Sequence, residues 1–509
     1  MVEFDIHIDS LGRVDDVFGF YQFAASNVAS QSPHHVLLES VQDHTKEPLY
    51  SFIVLEPDFV LEVRGAEARV HSVATERGDL LQEEAQSHPE DSIKVPPRAF
   101  DDRVEYDMPA FDAIKRHFPA SKTHFPEIFP RHVFYGGFVG YVGYDVVAPW
   151  VGYEPTSPFP DVVLAMATRV LVYSHKSRSL FHVDNTMGDY EPPDPLRRLV
   201  EKFNGLSEND RPPSGFELKF GGEANAGRAV GYRDNMTPQR FERMVEEAKD
   251  HVFAGDVIQV VVSRKVTKES ACPSLEVYRA LRRLNPSPYM YHLHLGDYKL
   301  VGSSPEPLVT LDGDVASTVP IAGTHKRGTS PEEDRALERE LLADEKERAE
   351  HVMLVDLARN DLAKISLPGT VETVELMTVR RYKHVMHIVS KVQSRTQFHG
   401  IDVLKNVFPA GTLTGAPKLR AMEIIQRLEP DSRGPYGGVV GYFALNGDCD
   451  WAIAIRTLFV HGRTYVAQAG AGIVADSDPR AEWRETRNKL ASPLKALEAA
   501  ETYPEATNA

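Results

Sequence analysis

Between Asn185 and Met236 the chain is dense in proline and glycine, which argues for an irregular connection. Glu191-Pro192-Pro193-Asp194-Pro195 is followed by Arg211-Pro212-Pro213-Ser214-Gly215 and then by a Gly/Ala-rich piece. Each proline fixes φ and removes an amide donor, so the stretch reads as an irregular connection. It divides the chain into an N-terminal part at 1–210, a linker at 211–235 and a C-terminal part at 236–509. The N-terminal part is mostly strand-like, with short β-branched or aromatic runs at Val36–Glu39, Tyr50–Leu55, Phe59–Val63 and Val162–Tyr173. Asp107–His117 reads as a helix. The C-terminal part opens with Thr237 as N-cap, Pro238 at the first helical position, and Phe241, Met244, Val245, Ala248 and Val252 at helical spacing. Val257–Ser263 then reads as a buried strand. Further helices are expected over Pro331–Ala363, Leu413–Leu428 and Pro479–Ala500.

Charge excludes one class of partner. The net charge is −17, from 57 basic and 74 acidic residues, with no concentrated Lys/Arg cluster. Nucleic acid is therefore not expected, and an acidic ligand would need local devices such as an arginine, a metal or aimed backbone amides. No run reaches the roughly 20 apolar residues of a membrane helix. The acidic start, Met-Val-Glu-Phe-Asp-Ile, lacks the basic and apolar regions of a signal peptide. Only two cysteines occur, Cys272 and Cys449, so the expected compartment is a reducing cytoplasm.

Four features bear on chemistry. Glu347 and Glu350 are three apart, as are Glu482 and Glu485, which on a helix places each pair on one face. Two such faces brought together make an oxygen-rich site for a hard cation such as Mg²⁺; each pair alone is ordinary solvated surface. Glycines punctuate Pro320-Ile321-Ala322-Gly323-Thr324 and Gln468-Ala469-Gly470-Ala471-Gly472-Ile473, where backbone amides gain access to an anion. His384 and His387 stand in an apolar run that reads as a short helix rather than a strand, and histidine is the usual proton carrier. Arg456 is the only charge after the apolar run from Trp451, and a buried arginine needs an anionic partner. Separately, Gly136-Gly137-Phe138-Val139-Gly140-Tyr141 is similar to Gly437-Gly438-Val439-Val440-Gly441-Tyr442. The simpler explanation is two glycine-bearing strands approached closely by neighbours; the alternative is two related strands in halves that pack together.

Taken together, PIAGTHKR (320–327), DEKERAEHVMLVDLARND (344–361), HVMHIVS (384–390), PAGTLTGAPK (409–418), GPYGGVVGY (434–442) and QAGAGIVADSDP (468–479) resemble the chorismate-utilising enzyme family, in that family's order. Leu37-Leu38-Glu39-Ser40 and Tyr50-Ser51-Phe52 extend the resemblance more weakly into the N-terminal half. The resemblance implies a large two-part α+β fold with stacked antiparallel β-sheets flanked by helices, the N-terminal part regulatory and in contact with a partner, the C-terminal part binding chorismate. It implies Glu350, Glu485 and Glu482 as Mg²⁺ ligands, with Glu347 in the same shell as a catalytic carboxylate. Gly470, Ala471 and Gly472 resemble a backbone cradle, with Lys489 one helical turn past Glu485. Arg456 and Tyr436 resemble the anchors of the enolpyruvyl carboxylate. Gly323, Thr324 and Thr412 line the matching ring pocket, and His387 resembles the family's catalytic histidine.

Two positions indicate a branch of the family. Gln259 stands where water-using members carry a lysine base, and a glutamine cannot act as that base. Ala322 stands where aminodeoxychorismate-forming members typically carry a lysine. Both favour conversion of chorismate and ammonia to anthranilate and pyruvate, the entry to tryptophan biosynthesis, with aminodeoxychorismate formation as the alternative. Glu39 and Ser40, with Pro288, Tyr289 and Met290, resemble a tryptophan-binding feedback site. Leu49 departs from the arginine often found there, which implies weakened or rearranged inhibition. Neither Cys272 nor Cys449 stands in a glutaminase nucleophile elbow, so ammonia is expected from a separate glutamine amidotransferase subunit in a hetero-oligomer.

Overall fold

The computed structural model describes residues 4–28, 33–39, 49–73, 103–105, 107–119, 129, 133–186, 190, 192–207, 210–212, 231–381 and 385–502. Most of the linker, 213–230, together with Ser40 and His384, lies outside these. The fold is α+β. Two antiparallel sheets, each of twelve strands among the described residues, form its framework. The first sheet runs in the order Asp5–Arg13, Ser179–Thr186, Arg169–Ser174, Tyr50–Val54, His34–Glu39, Tyr289–Leu295, Tyr298–Ser304, Thr457–His461, Thr464–Ile473, Gln259–Glu269 and Arg233–Asp234, with Gly415–Ala416 beside Gln259. The second runs Ile321–Lys326, Val385–Arg395, Val315–Thr318, Pro307–Asp312, Cys449–Ile453, Val439–Ala444, Gly137–Val142, Val162–Ala167, Phe59–Arg64, Glu67–Ser72 and Arg103–Glu105, with Glu372–Arg381 also on Val385–Arg395. Strands from both sides of the linker thus mix in both sheets.

The largest apolar core takes side chains from both sheets, including Val36, Leu293, Leu300 and Phe459 from the first and Leu61, Phe138, Leu164, Val309 and Trp451 from the second. A second core joins the first sheet to helices Val17–Val28, Ser274–Leu284 and Pro479–Glu501 through Phe18, Tyr278, Leu281, Leu490 and Leu497. A third places helices Pro238–Phe253 and Lys418–Leu428 over the strand that begins at Gln259. Each large apolar side chain buried this way contributes about 1.5–3 kcal/mol relative to exposure.

Several local expectations hold, and several are corrected. Thr237 does cap its helix, accepting from the Arg240 amide. The long helix expected over Pro331–Ala363 is two, Pro331–Ala343 and Glu345–Ala363, because Asp344 is extended (φ −69°, ψ 112°) and caps the second. The helix expected from Leu413 is a single turn, Gly411–Thr414, then the two-residue strand Gly415–Ala416, then Lys418–Leu428. The histidine run is a strand, Val385–Arg395, rather than a short helix, since pairing with Ile321–Lys326 and Glu372–Arg381 on either side satisfies its backbone. Val162–Tyr173 is two strands in different sheets. The chain crosses at Thr168, whose amide and hydroxyl both donate to Asp58 (2.7 and 3.0 Å).

The two similar glycine segments form neighbouring strands that pair with each other, Gly140 opposite Gly441. Close backbone approach also holds: a Cβ on Gly441 would lie 2.0 Å from the Asp450 carbonyl oxygen. Gly441→Ala is therefore expected to destabilise the protein by about 1–3 kcal/mol through overpacking. Urea denaturation checks it, and an unchanged midpoint would show that the strand shifts at no cost.

Candidate active site

Two aspartate-capped helices present the acidic pairs. Asp344 accepts from the amides of Lys346 (2.9 Å) and Glu347 (3.0 Å), which starts the helix bearing Glu347 and Glu350. Asp478 accepts from the Ala481 amide (2.7 Å), with Pro479 in the first turn, which starts the helix bearing Glu482 and Glu485. Both pairs lie in the first two turns, where the helix dipole favours negative charge.

Tertiary packing brings the pairs together. Burial raises the Glu347 carboxyl above its ordinary range, and Glu350, Asp344 and Glu485 raise it further. Glu350 is raised by burial and then by Glu485 across the gap. Glu482 is raised by burial, opposed by a hydrogen bond from Ser477, with Glu485 adding to the rise. Lys489 donates to Glu485 (2.5 Å) and to the Gly470 carbonyl (2.9 Å). Among the described residues, no three His, Cys, Asp or Glu side chains are arranged to hold a metal by themselves. Crowded carboxylates that resist ionisation nonetheless fit Mg²⁺, which takes one or two carboxylates and leaves its other positions to water and substrate oxygens.

Gly323 connects this cluster to His387. It is left-handed (φ +66°), and a Cβ there would lie 3.3 Å from Glu347 Oε2 and 3.0 Å from Ile388 Cδ1. Its carbonyl accepts from His387 Nδ1 (3.1 Å). A carbonyl only accepts, so the neutral ring carries its proton on Nδ1. Burial lowers the His387 pKa; the Gly323 bond opposes this and Arg456 adds to it, so the imidazole is neutral near pH 7. Thr324 pairs with His387 across the two strands.

Arg456 follows the strand Cys449–Ile453, in a left-handed turn (φ +53°). Its guanidinium feels Tyr436, Glu306 and Glu485, but no carboxylate is within ion-pair distance of it among the described residues. Tyr436 is buried, and burial raises the pKa of its hydroxyl, with Arg433 opposing. Gly470, Ala471 and Gly472 lie opposite Ser263, Val262 and Val261. On its other side this strand pairs with Thr457–His461 only as far as Ala467. Gln259 is buried against Gly472, where a Cβ would lie 2.1 Å from its Nε2. A groove of about 580 Å³ lined by Val252, Asp256, Ile258, Pro417 and Asp476 opens beside that strand's start, and none of the four glutamates lines it.

Glu306 was not foreseen. It lies between strands Tyr298–Ser304 and Pro307–Asp312 and accepts from the Thr412 hydroxyl (2.9 Å). Burial raises its pKa to about 7, with Thr412, Lys489 and Arg456 opposing. The available signal was a lone acid between Pro305 and Pro307 inside an apolar stretch.

Of the residues expected at the feedback site, Glu39, Tyr289 and Met290 sit on paired strands, Met290 opposite Glu39, while Ser40 lies outside the described residues. The Glu39 carboxylate is buried and held by Arg282 (2.7 and 2.5 Å) and Tyr278 (2.9 Å). Tyr289 donates to Asp450 (3.1 Å), Pro288 is half-buried and Met290 is buried.

Together these groups make a candidate enzyme site for a small anion: carboxylates suited to a divalent cation, a guanidinium coupled to Glu485 and Glu306, and a buried histidine. The sequence model of the chorismate binding enzyme family matches residues 108–495, and the chain belongs to that family. Enzymes of this family use a metal. The chain is 40% identical to the anthranilate synthase component 1 of Aquifex aeolicus, over 92% of this chain and 90% of that protein. It is 43% identical to that of Streptomyces coelicolor, over 76% and 77%. The crystal structure of anthranilate synthase component I from Streptococcus pneumoniae superposes with a TM-score of 0.68 at 31% identity, covering 87% of this chain and 92% of that one.

Glu306→Gln gives a pH-dependent prediction. The folded pKa, about 7, stands above the ordinary 4.5, so the folded state holds the proton more tightly than the unfolded chain. Wild-type stability therefore falls as pH rises through that window. Glu306→Gln should be no more stable than wild type at pH 4, and more stable by on the order of 2 kcal/mol at pH 8. Denaturation at both pH values tests this; an advantage that does not change with pH would contradict it.

Proposed function

We propose that this chain is the chorismate-using subunit of anthranilate synthase, forming anthranilate and pyruvate from chorismate and ammonia. The observation that carries the reading is the facing of Glu347 and Glu350 by Glu485 across two helices, with Arg456 near the same carboxylate. The likeness over most of the chain to proteins named anthranilate synthase component 1 supports it.

In this reading Glu350 and Glu485 hold Mg²⁺, with Glu482 and Glu347 adjacent in the same shell. Bound Mg²⁺ would neutralise the ring carboxylate of chorismate and orient the ring. Arg456 and Tyr436 receive the enolpyruvyl carboxylate, the first by charge-assisted hydrogen bonds. Gly470, Ala471 and Gly472 admit the ligand close to backbone, while Gly323, Thr324 and Thr412 line the ring pocket. Gln259, neutral and buried, leaves water unactivated. Ammonia adds at ring C2 as the 4-hydroxyl departs. Glu306 retains a proton near neutral pH and is the fitting donor to that hydroxyl, which leaves as water. His387, neutral with Nδ1 committed, offers Nε2 to take the C2 proton as the ring C–O bond breaks and to return a proton to the departing enolpyruvate, which becomes pyruvate. It becomes a donor only after an anion raises its pKa.

The word component in the relatives' names supports a second subunit, which we take to be a glutamine amidotransferase supplying ammonia within a hetero-oligomer. Tryptophan is the proposed inhibitor, bound near Glu39, Ser40, Pro288, Tyr289 and Met290; its ammonium would have to compete with Arg282 for Glu39. Both cysteines are free thiols and no described helix is long and apolar enough to cross a membrane, which supports a cytoplasmic enzyme.

The purified chain with chorismate, ammonium and Mg²⁺ should form fluorescent anthranilate, and EDTA should stop it. A product with nitrogen at C4, seen by mass and fragmentation, would move the chain to the aminodeoxychorismate branch. Glu350→Gln and Glu485→Gln should each lower turnover at least about a hundredfold while the fold persists. Arg456→Ala should raise the KM for chorismate roughly 10- to 100-fold, from the loss of charge-assisted hydrogen bonds. Wild-type kinetics in any of these variants would remove that residue from the site.

A further inference from the structure

We propose that Asp344 is a positioning residue: its cap fixes where the first turn of the following helix begins, and so where Glu347 and Glu350 point. This rests on the proposed reading that these glutamates hold the divalent cation. Asp344 belongs to two helices at once. Its amide donates to the Glu340 carbonyl (3.1 Å), ending helix Pro331–Ala343, and its carboxylate accepts from the Lys346 and Glu347 amides, beginning helix Glu345–Ala363. Its extended backbone makes the break between them.

Both flanks of the break are anchored elsewhere. The preceding helix is tied to its surroundings by the Arg327–Asp334 and Arg381–Glu338 ion pairs, and Leu341 packs with Met386 and Ile388. The following helix is pinned one residue past Glu350, where His351 Nε2 meets the Ser390 hydroxyl (2.6 Å), and again where Lys418 meets Asp361 (2.6 Å). Between Asp344 and His351 the helix carries both glutamates. The amides of its first turn have no intrahelical acceptor, so the Asp344 oxygen is what keeps that turn wound. If the turn frays, Glu347 loses the backbone that sets it against Gly323. Asp344 is itself exposed, so its replacement leaves the cores intact.

The test measures Mn²⁺ binding to the full-length protein through the electron paramagnetic resonance signal of free Mn²⁺, without substrate. Asp344→Ala should bind Mn²⁺ about fivefold more weakly, the size of effect a lost cap produces. Asp344→Asn retains a capping oxygen and should stay within about twofold of wild type. In turnover, Asp344→Ala should raise the KM for Mg²⁺ while kcat at saturating Mg²⁺ stays near wild type. Unchanged Mn²⁺ affinity in Asp344→Ala overturns the proposal, and so does equal weakening in Asp344→Asn, which would assign the effect to charge rather than capping. Glu350→Gln in the same assay separates the levels: if it binds Mn²⁺ as well as wild type, the reading of the carboxylates fails, and not the role of Asp344 alone.

Discussion

The site depends on like charge held at close quarters. Glu347, Glu350 and Glu482 are each raised by burial and by neighbouring carboxylates, with Glu485 common to all three. Such an arrangement is unfavourable in isolation, since Coulomb repulsion grows as water is excluded. It persists because each pair is built into a capped helix whose other face is committed to packing. His351, Leu354 and Leu362 are buried along one helix, and Leu490, Leu497 and Ala500 along the other. The apolar faces decide where the helices lie, and the carboxylates follow. A divalent cation would reverse the sign of the interaction, so in the proposed reading the geometry that costs stability alone would serve as a binding site.

Opposed to this cluster stands Arg456, in a left-handed turn that leaves its guanidinium without a carboxylate at ion-pair distance among the described residues. Between the two ends are groups with little or no formal charge near neutral pH. His387 has been stripped of its proton by burial, and Glu306 keeps its own for the same reason. Burial disfavours the charged form in both, which makes one an acceptor and the other a donor. In the proposed reading, a molecule with two separated carboxylates is oriented by charge and met at its middle by complementary proton-transfer groups. Glycine allows close internal packing here: a Cβ at Gly323 would press on Ile388 (3.0 Å), and one at Gly472 would meet the Gln259 amide (2.1 Å).

The first sheet also joins distant functions. From the Glu39 strand and its neighbour Tyr289–Leu295, two strands intervene before the glycine strand Thr464–Ile473. One, Tyr298–Ser304, leads into Glu306; the other, Thr457–His461, begins directly after Arg456.

Much of this was legible in the residues. Acidic-basic helical stretches located the segments that carry the glutamates, though not the break at Asp344, and the glycine punctuation and lone Arg456 marked backbone and charge suited to an anion. Those signals are local, readable from periods of two or 3.6 residues and from single end-caps. The structure decided what depends on contacts between remote segments. His387 lies on a strand because Ile321–Lys326 and Glu372–Arg381 pair with it. Val162–Tyr173 divides between two sheets because Asp58 satisfies Thr168 at the crossing. Glu306 acquires its raised pKa only when the surrounding strands bury it, against the opposing hydrogen bond from Thr412. Sequence by itself determined which side chains could act; tertiary packing alone decided which of them meet, because burial and cross-strand pairing arise between residues far apart in the chain.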